Sequence, residues 1–213
     1  MKYQRVFVYV DGFNLYYSLK RAFGKKYMWL DIPKLTRSLL RANQNLKRVK
    51  YFTARISGGN HMQEKVKRQS AYLDVLTSTG IIDIVEGKFH RRTNSYKFSR
   101  ANTNLQIDIT KSQEKQTDVN IAVQMIDDAM NNRFDIAFLF SADSDLIPPV
   151  NLINQRYPKK RVMVWLPPKA KAVELKKVAP SATIYEGKFK KALFPESVEV
   201  TPGVMVDQPA EWK

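Results

Sequence analysis

Short runs of β-branched and aromatic residues alternate along this chain with longer segments of helical periodicity, which restricts it to few architectures. Residues 6–10 (VFVYV) are apolar throughout, as a strand buried on both faces must be. The run stops at Asp11-Gly12, a turn pair, and residues 13–23 then read as a helix. The same alternation recurs. Strands are expected at 49–54, 81–85, Ile136–Phe140, 162–166 and 182–185, and helices at 62–78, 114–131, 146–155 and 170–178. A further helix opens at Pro33, with Asp31 as its cap and Leu35, Leu39 and Leu40 on one face. Residues 88–110 read as one or two hairpin strands. Strands separated by helices imply an α/β fold with a mainly parallel sheet covered on both faces. In such sheets ligands bind beyond the carboxyl ends of the strands, near the switch in strand order.

The 213 residues suit one domain, expected at 1–194, followed by an extended acidic tail at 195–213 with three prolines and four acids against one lysine. The tetrapeptide Glu-Gly-Lys-Phe occurs at 86–89 and at 186–189, and coincidence accounts for it. The absence of cysteine excludes disulfides and thiolate metal sites, and two histidines, His61 and His90, are too few for a His-based zinc centre. No run approaches the roughly 18 apolar residues of a membrane span. The opening MKYQRVFVYVDG lacks a signal-peptide core, so a cytoplasmic location without membrane contact is expected.

Net charge is +16, beyond the magnitude of roughly 2–8 usual for a small soluble domain. The excess is concentrated: residues 1–63 hold 13 basic side chains and two acids, Asp11 and Asp31. A polyanion, nucleic acid above all, is the expected partner.

Within that basic chain a few carboxylates stand where chemistry can use them. Asp11 ends the first strand, at the ligand-binding rim. Asp143 and Asp145 follow the strand Ile136–Phe140 in a strand-to-helix turn, and their spacing lets them converge on one hard cation. Helix capping accounts comfortably for one of the two, less well for both. Asp118 heads a helical stripe of Ile121, Ala122, Met125 and Ala129. A carboxylate there must be paired, protonated or metal-bound, and Lys115 is the candidate ion-pair partner. Oxygen donors without Cys suit Mg²⁺ or Mn²⁺, which activate water and offset charge developing on a phosphoryl group.

These blocks resemble a known family. Asp11-Gly12-Phe13-Asn14 after an apolar strand, Lys115-x-x-Asp118-Val119 opening a helix and Ser141-x-Asp143-Ser144-Asp145-Leu146-x-Pro148 after another strand are similar to the NYN domain, a branch of the PIN-like nucleases, and to its LabA-like group. The resemblance implies a three-layer α/β/α sandwich with a hairpin insertion and a metal-dependent ribonuclease site. Asp11, Asp118, Asp143 and Asp145 would hold Mg²⁺ or Mn²⁺. Asn14 would steady the first carboxylate or touch phosphate, Ser141 would support the turn, and Lys115 would reach the scissile phosphate. Leu146 departs conservatively from the Phe frequent at that position.

Two basic stretches could carry single-stranded or structured RNA. Residues 88–103 interleave Arg91, Arg92, Lys97 and Arg100 with Tyr96 and Phe98, cations for the backbone and rings for the bases. An edge hairpin kept soluble by its charges would read the same way. Lys20, Arg21, Lys25 and Lys26 follow the first helix, and Tyr16 and Tyr17 precede them, one of the two expected at the cleft. The rival functions are a non-catalytic nucleic-acid-binding or regulatory protein and an enzyme on a small molecule. The latter has no motif behind it: a second Asp two positions past Asp11 and a Gly-x-Gly-x-x-Gly turn are both missing.

Overall fold

The computed structural model describes residues 3–56, 62–100 and 103–213, without the side chains at 90–94 and 96–113. The turn around His61 and the side chain of His90 therefore lie outside the described residues.

β1 (Gln4–Asp11) sits in the middle of a seven-stranded sheet. Its side chains alternate between two cores: Val6, Val8 and Val10 enter one, Phe7 and Tyr9 the other. That period of two is why the whole run is apolar. α1 (Gly12–Phe23) and α2 (Ile32–Arg37) follow, then β2 (Gln44–Ala54) and α3 (Gln63–Ser78). Asp31 caps α2 through Lys34 N–H at 2.8 Å, as expected, but α2 stops before Leu39 and Leu40, which pack against the core from a turn.

β3 (Ile82–Arg100) and β4 (Thr103–Lys115) form the expected hairpin, pairing antiparallel from Lys88 with Lys115 to Arg100 with Thr103. The first third of β3 belongs to the parallel sheet beside β2. α4 (Thr117–Met130) leads back to β5 (Ile136–Phe140), then α5 (Ile147–Arg156), β6 (Arg161–Leu166), α6 (Leu175–Val178), β7 (Ser181–Thr183) and α7 (Glu186–Lys191). The helix expected over 170–178 shortens to α6, because Pro167-Pro168 and Lys169 at a φ of 58° hold the preceding chain in a turn. Glu-Gly-Lys-Phe is strand in β3 and helix in α7, so the repeat has no structural meaning.

The strand order is β4-β3-β2-β1-β5-β6-β7, parallel except for β4. The chain runs outward from β1 to one side and then from β5 to the other, so the switch point lies between β1 and β5. Side chains of α1, α2, α3 and α7 pack on one face, those of α4, α5 and α6 on the other. This is the expected α/β/α sandwich. Among the described residues no helix is long and apolar enough to cross a membrane.

The last segment departs from expectation. Instead of an extended tail it forms a hairpin of β8 (Ser197–Thr201) and β9 (Val204–Asp207), turned by Pro202-Gly203 with Gly203 at a φ of 79°, a conformation glycine adopts without strain. Val198, Val200 and Val206 lean on the α1–α3 core. Trp212, 8% exposed, packs 6.3 Å from Trp29 and 5.9 Å from Tyr72, ring centre to ring centre. Trp29 donates its indole N–H to the Pro195 carbonyl at 2.7 Å. Apolar residues at alternate positions of a valine-rich strand carry the signal for this docking. It was masked by the prolines and acids that dominate the composition.

Candidate metal centre

Asp11 is the last residue of β1 and the N-cap of α1. Its Oδ1 accepts the Asn14 backbone N–H at 3.0 Å, and its Oδ2 accepts the Ser141 hydroxyl at 2.9 Å. Gly12 behind it is required by space: a Cβ there would lie 2.6 Å from the Phe52 carbonyl oxygen. Burial pushes the Asp11 carboxyl up to about 6, against the pull of those two hydrogen bonds, and Asp118 and Asp143 add to the rise.

Asp143 leaves the end of β5, directly across the switch point. Its backbone N–H donates to the Ser141 hydroxyl at 3.1 Å, so one serine ties the first carboxylate to the second turn. Asn14 closes the link: its side-chain carbonyl accepts the Ala142 N–H at 3.2 Å. Asn14 therefore braces the two turns against each other. The Asp143 carboxylate also caps the 3-10 turn Ser144–Leu146, accepting Asp145 N–H at 3.0 Å, so capping and site geometry share one residue.

Asp118 arrives from a third element. β4 ends at Lys115, Gln116 takes a left-handed φ of 79°, and α4 begins with Asp118 in its first turn. A Cβ on Gly87 would meet the Lys115 carbonyl oxygen at 2.6 Å, so close approach of β3 sets where α4 starts. One carboxylate oxygen each from Asp11, Asp118 and Asp143 lie within 4.8 Å of one another. Oxygens sharing one Mg²⁺ at about 2.1 Å sit no more than about 4.2 Å apart, so small side-chain rotations would let all three reach a single ion.

Asp145 does not join this group. It is exposed on the 3-10 turn and acts on Asp118 only as a nearby like charge. The alternative ion pair between Lys115 and Asp118 is not formed; the Lys115 side chain is exposed, with no hydrogen bond or ion pair among the described residues. The residue missed in the sequence is Glu114. It lines the same cleft of about 270 Å³ as the three aspartates. Burial raises its carboxyl to about 7, with Asp11 and Asp118 adding to the rise and the Thr117 hydroxyl, which it accepts, opposing it. The sequence placed Glu114 inside a helix, whereas it closes β4.

No Lys or Arg pairs with Asp11, Asp118 or Asp143 among the described residues. The contrast with Asp128 is instructive. That carboxylate, fully buried on α4, is held by Lys50 at 2.6 Å, Arg133 at 2.8 Å and the Tyr9 hydroxyl at 2.7 Å. A structural acid in this chain is surrounded by donors; the three rim acids face one another. The all-oxygen donor set fits a hard divalent cation.

The basic residues divide. Arg21 borders the acidic cleft. Lys20 and Lys25 border a larger neighbouring cavity of about 370 Å³ between α1 and α3, and Tyr17 lines both. Tyr16 faces only the larger one. Lys26 points elsewhere, paired with Glu186 at 3.1 Å. The side chains of Arg91, Arg92, Tyr96, Lys97, Phe98 and Arg100 lie outside the described residues; their backbone runs along the outer arm of β3.

Comparison with known proteins agrees with this picture. The NYN domain family matches residues 5–186. A curated relative, 6-hydroxy-3-succinoylpyridine 3-monooxygenase HspA of Pseudomonas putida (strain DSM 28022 / S16), is 29% identical over 177 residues, 70% of this chain and 55% of its own length. The chain thus spans about half the length of that relative. A crystal structure of a protein of unknown function from Vibrio parahaemolyticus RIMD 2210633 superposes with a TM-score of 0.58 at 19% identity, covering 90% of this chain and 97% of that one, which speaks for the fold alone. The domain match covers most of the chain and takes in every carboxylate of the cluster: the protein belongs to the NYN domain family.

Proposed function

We propose that the protein is a Mg²⁺- or Mn²⁺-dependent ribonuclease that hydrolyses internal phosphodiester bonds of RNA. One observation carries the reading: three aspartates from three separate elements meet at the switch point of the sheet, and among the described residues no Lys or Arg pairs with them. Asp11, Asp118 and Asp143 would hold the ion, with Asp145 at the edge of the site. A divalent cation supplies charge neutralisation on the phosphoryl oxygens and lowers the pKa of a water. Ser141 and Asn14 keep the Asp11 and Asp143 turns in register. Glu114, titrating at about 7, is suited to accept the proton of an attacking water through a carboxylate oxygen. Arg21 and the charged arm of β3 would hold the RNA backbone, and Lys115, exposed beside the cleft, would steady the scissile phosphate. A net charge of +16 supports a polyanionic substrate.

The test is cleavage of pooled single-stranded RNA with Mn²⁺, Mg²⁺ or EDTA. Cutting with metal, lost in EDTA and in Asp143→Asn while RNA binding persists, is the expected outcome. Tight, salt-sensitive binding with no cutting would make the protein a binding module. Neither would favour the second reading, an enzyme on a small heteroaromatic molecule. That reading draws on the aromatic-lined cavity beside the acidic cleft and on the monooxygenase relative, whose name specifies a substituted pyridine.

A further inference from the structure

The larger cavity shares a wall with the metal centre, since Phe13 and Tyr17 line both spaces. Its volume of about 370 Å³ falls in the range of roughly 300–1,000 Å³ typical of small-ligand sites. The walls are rings: Tyr16, Tyr17, Tyr51, Tyr72 and Phe89 face it, with Trp212 of the C-terminal segment at one side. The Tyr72 hydroxyl is satisfied by the Leu30 carbonyl at 2.8 Å. The Tyr51 hydroxyl is not: the residue is 7% exposed, and its oxygen has no hydrogen-bond partner among the described residues. That oxygen borders the cavity and is not one of the fully buried unpaired atoms, so it can donate to an acceptor on a bound molecule. At the mouth stand Lys20, Lys25 and Lys65, all exposed and none ion-paired among the described residues; Lys20 lies 5.8 Å from the centre of the Tyr16 ring. Arg68, the fourth cation there, is already held by Glu211.

We propose that this cavity binds a planar heteroaromatic ring carrying an anionic group, the ring among the aromatic side chains with an acceptor atom on the Tyr51 hydroxyl, and the anion on the lysines at the mouth. Aromatic walls take any planar π-face, which sets the ring class. The unpaired hydroxyl selects a ring with a nitrogen or carbonyl acceptor over a plain hydrocarbon. Two sources share this chemistry. One is a nucleotide of RNA, its base in the cavity and its phosphate turned toward the shared wall and the carboxylates; this source rests on the ribonuclease reading. The other is a free heteroaromatic acid.

Calorimetric titration of the full chain in EDTA separates them, because it requires no cleavage and so stands or falls apart from nuclease activity. The probes are the four ribonucleoside 5′-monophosphates and pyridine-3-carboxylate. Saturable binding of at least one probe is expected. Tyr51→Phe, which keeps the ring, should weaken it roughly 3- to 10-fold, and the triple reversal Lys20→Glu, Lys25→Glu, Lys65→Glu should weaken it further. Binding by a nucleotide alone supports the RNA source, by the pyridine acid alone the small-molecule source, and by both the shared chemistry. No saturable binding by any probe, or binding that neither variant alters, overturns the proposal.

Discussion

At the residue scale, what sets Asp11 apart is the cost of its charge. Its carboxyl sits at about 6 when folded, against an ordinary value of 3.8, so the folded protein holds this proton more tightly than the unfolded chain does. Stability from this group is therefore greatest below pH 4 and falls as pH rises from about 4 to 6, reaching a cost of roughly 2–3 kcal/mol above that window. Asn keeps an oxygen to accept the Asn14 N–H and can donate its amide N–H to the Ser141 hydroxyl oxygen, without the charge. We expect Asp11→Asn to raise the melting temperature of metal-free protein near pH 7 and to lose that advantage near pH 4; melting curves at both pH values in EDTA check this. The sequence identified Asp11, Asp118 and Asp143 because each ends or begins an element whose period could be read. It overstated Asp145, since a spacing of two in a turn does not say which carboxylate faces inward. It missed Glu114, which belongs to the end of β4 and not to the helix expected over 114–131, and so lines the cleft from the strand.

At the scale of elements, the site depends on three close approaches: α1 onto β2, α4 onto β3, and the β5 turn onto Asn14. Gly12 marks the first. With a Cβ at 2.6 Å from a backbone carbonyl, the strand rather than a flexible side chain must give. Gly12→Ala is expected to cost about 1–3 kcal/mol, measured by urea unfolding, and to reduce metal affinity by displacing Asp11. The buried Lys50–Asp128 pair joins β2 to α4 from the other side. Removing one partner of such a pair costs about 3–5 kcal/mol, so Asp128→Ala should destabilise strongly while adding nothing to the reactivity of the site. The strand and helix order was legible because fully buried parallel strands are uniformly apolar. Lengths were less so: the strand expected at 81–85 and the first arm of the hairpin expected at 88–110 form one continuous β3, paired along its outer part with β4.

At the scale of the molecule, the chain closes on itself through its last residues. Trp212 packs against Trp29 and Tyr72 and borders the aromatic cavity. Trp212→Ala is expected to lower stability by about 3–5 kcal/mol, read by chemical unfolding, and to weaken ligand binding in that cavity. On the proposed reading the charge distribution and the acidic cluster serve one purpose: the basic charge would gather a polyanion, and the acidic rim would meet its phosphates only with a cation between them.

That cation is the point on which the functional account turns. Titration of Mn²⁺ into the full chain near neutral pH, wild type beside Asp143→Asn, addresses it most directly. Saturable binding in the wild type, weakened at least about tenfold when one first-coordination carboxylate is lost, is the predicted result. Equal Mn²⁺ binding by the two proteins, or none by either, would contradict a metal centre built from Asp11, Asp118 and Asp143.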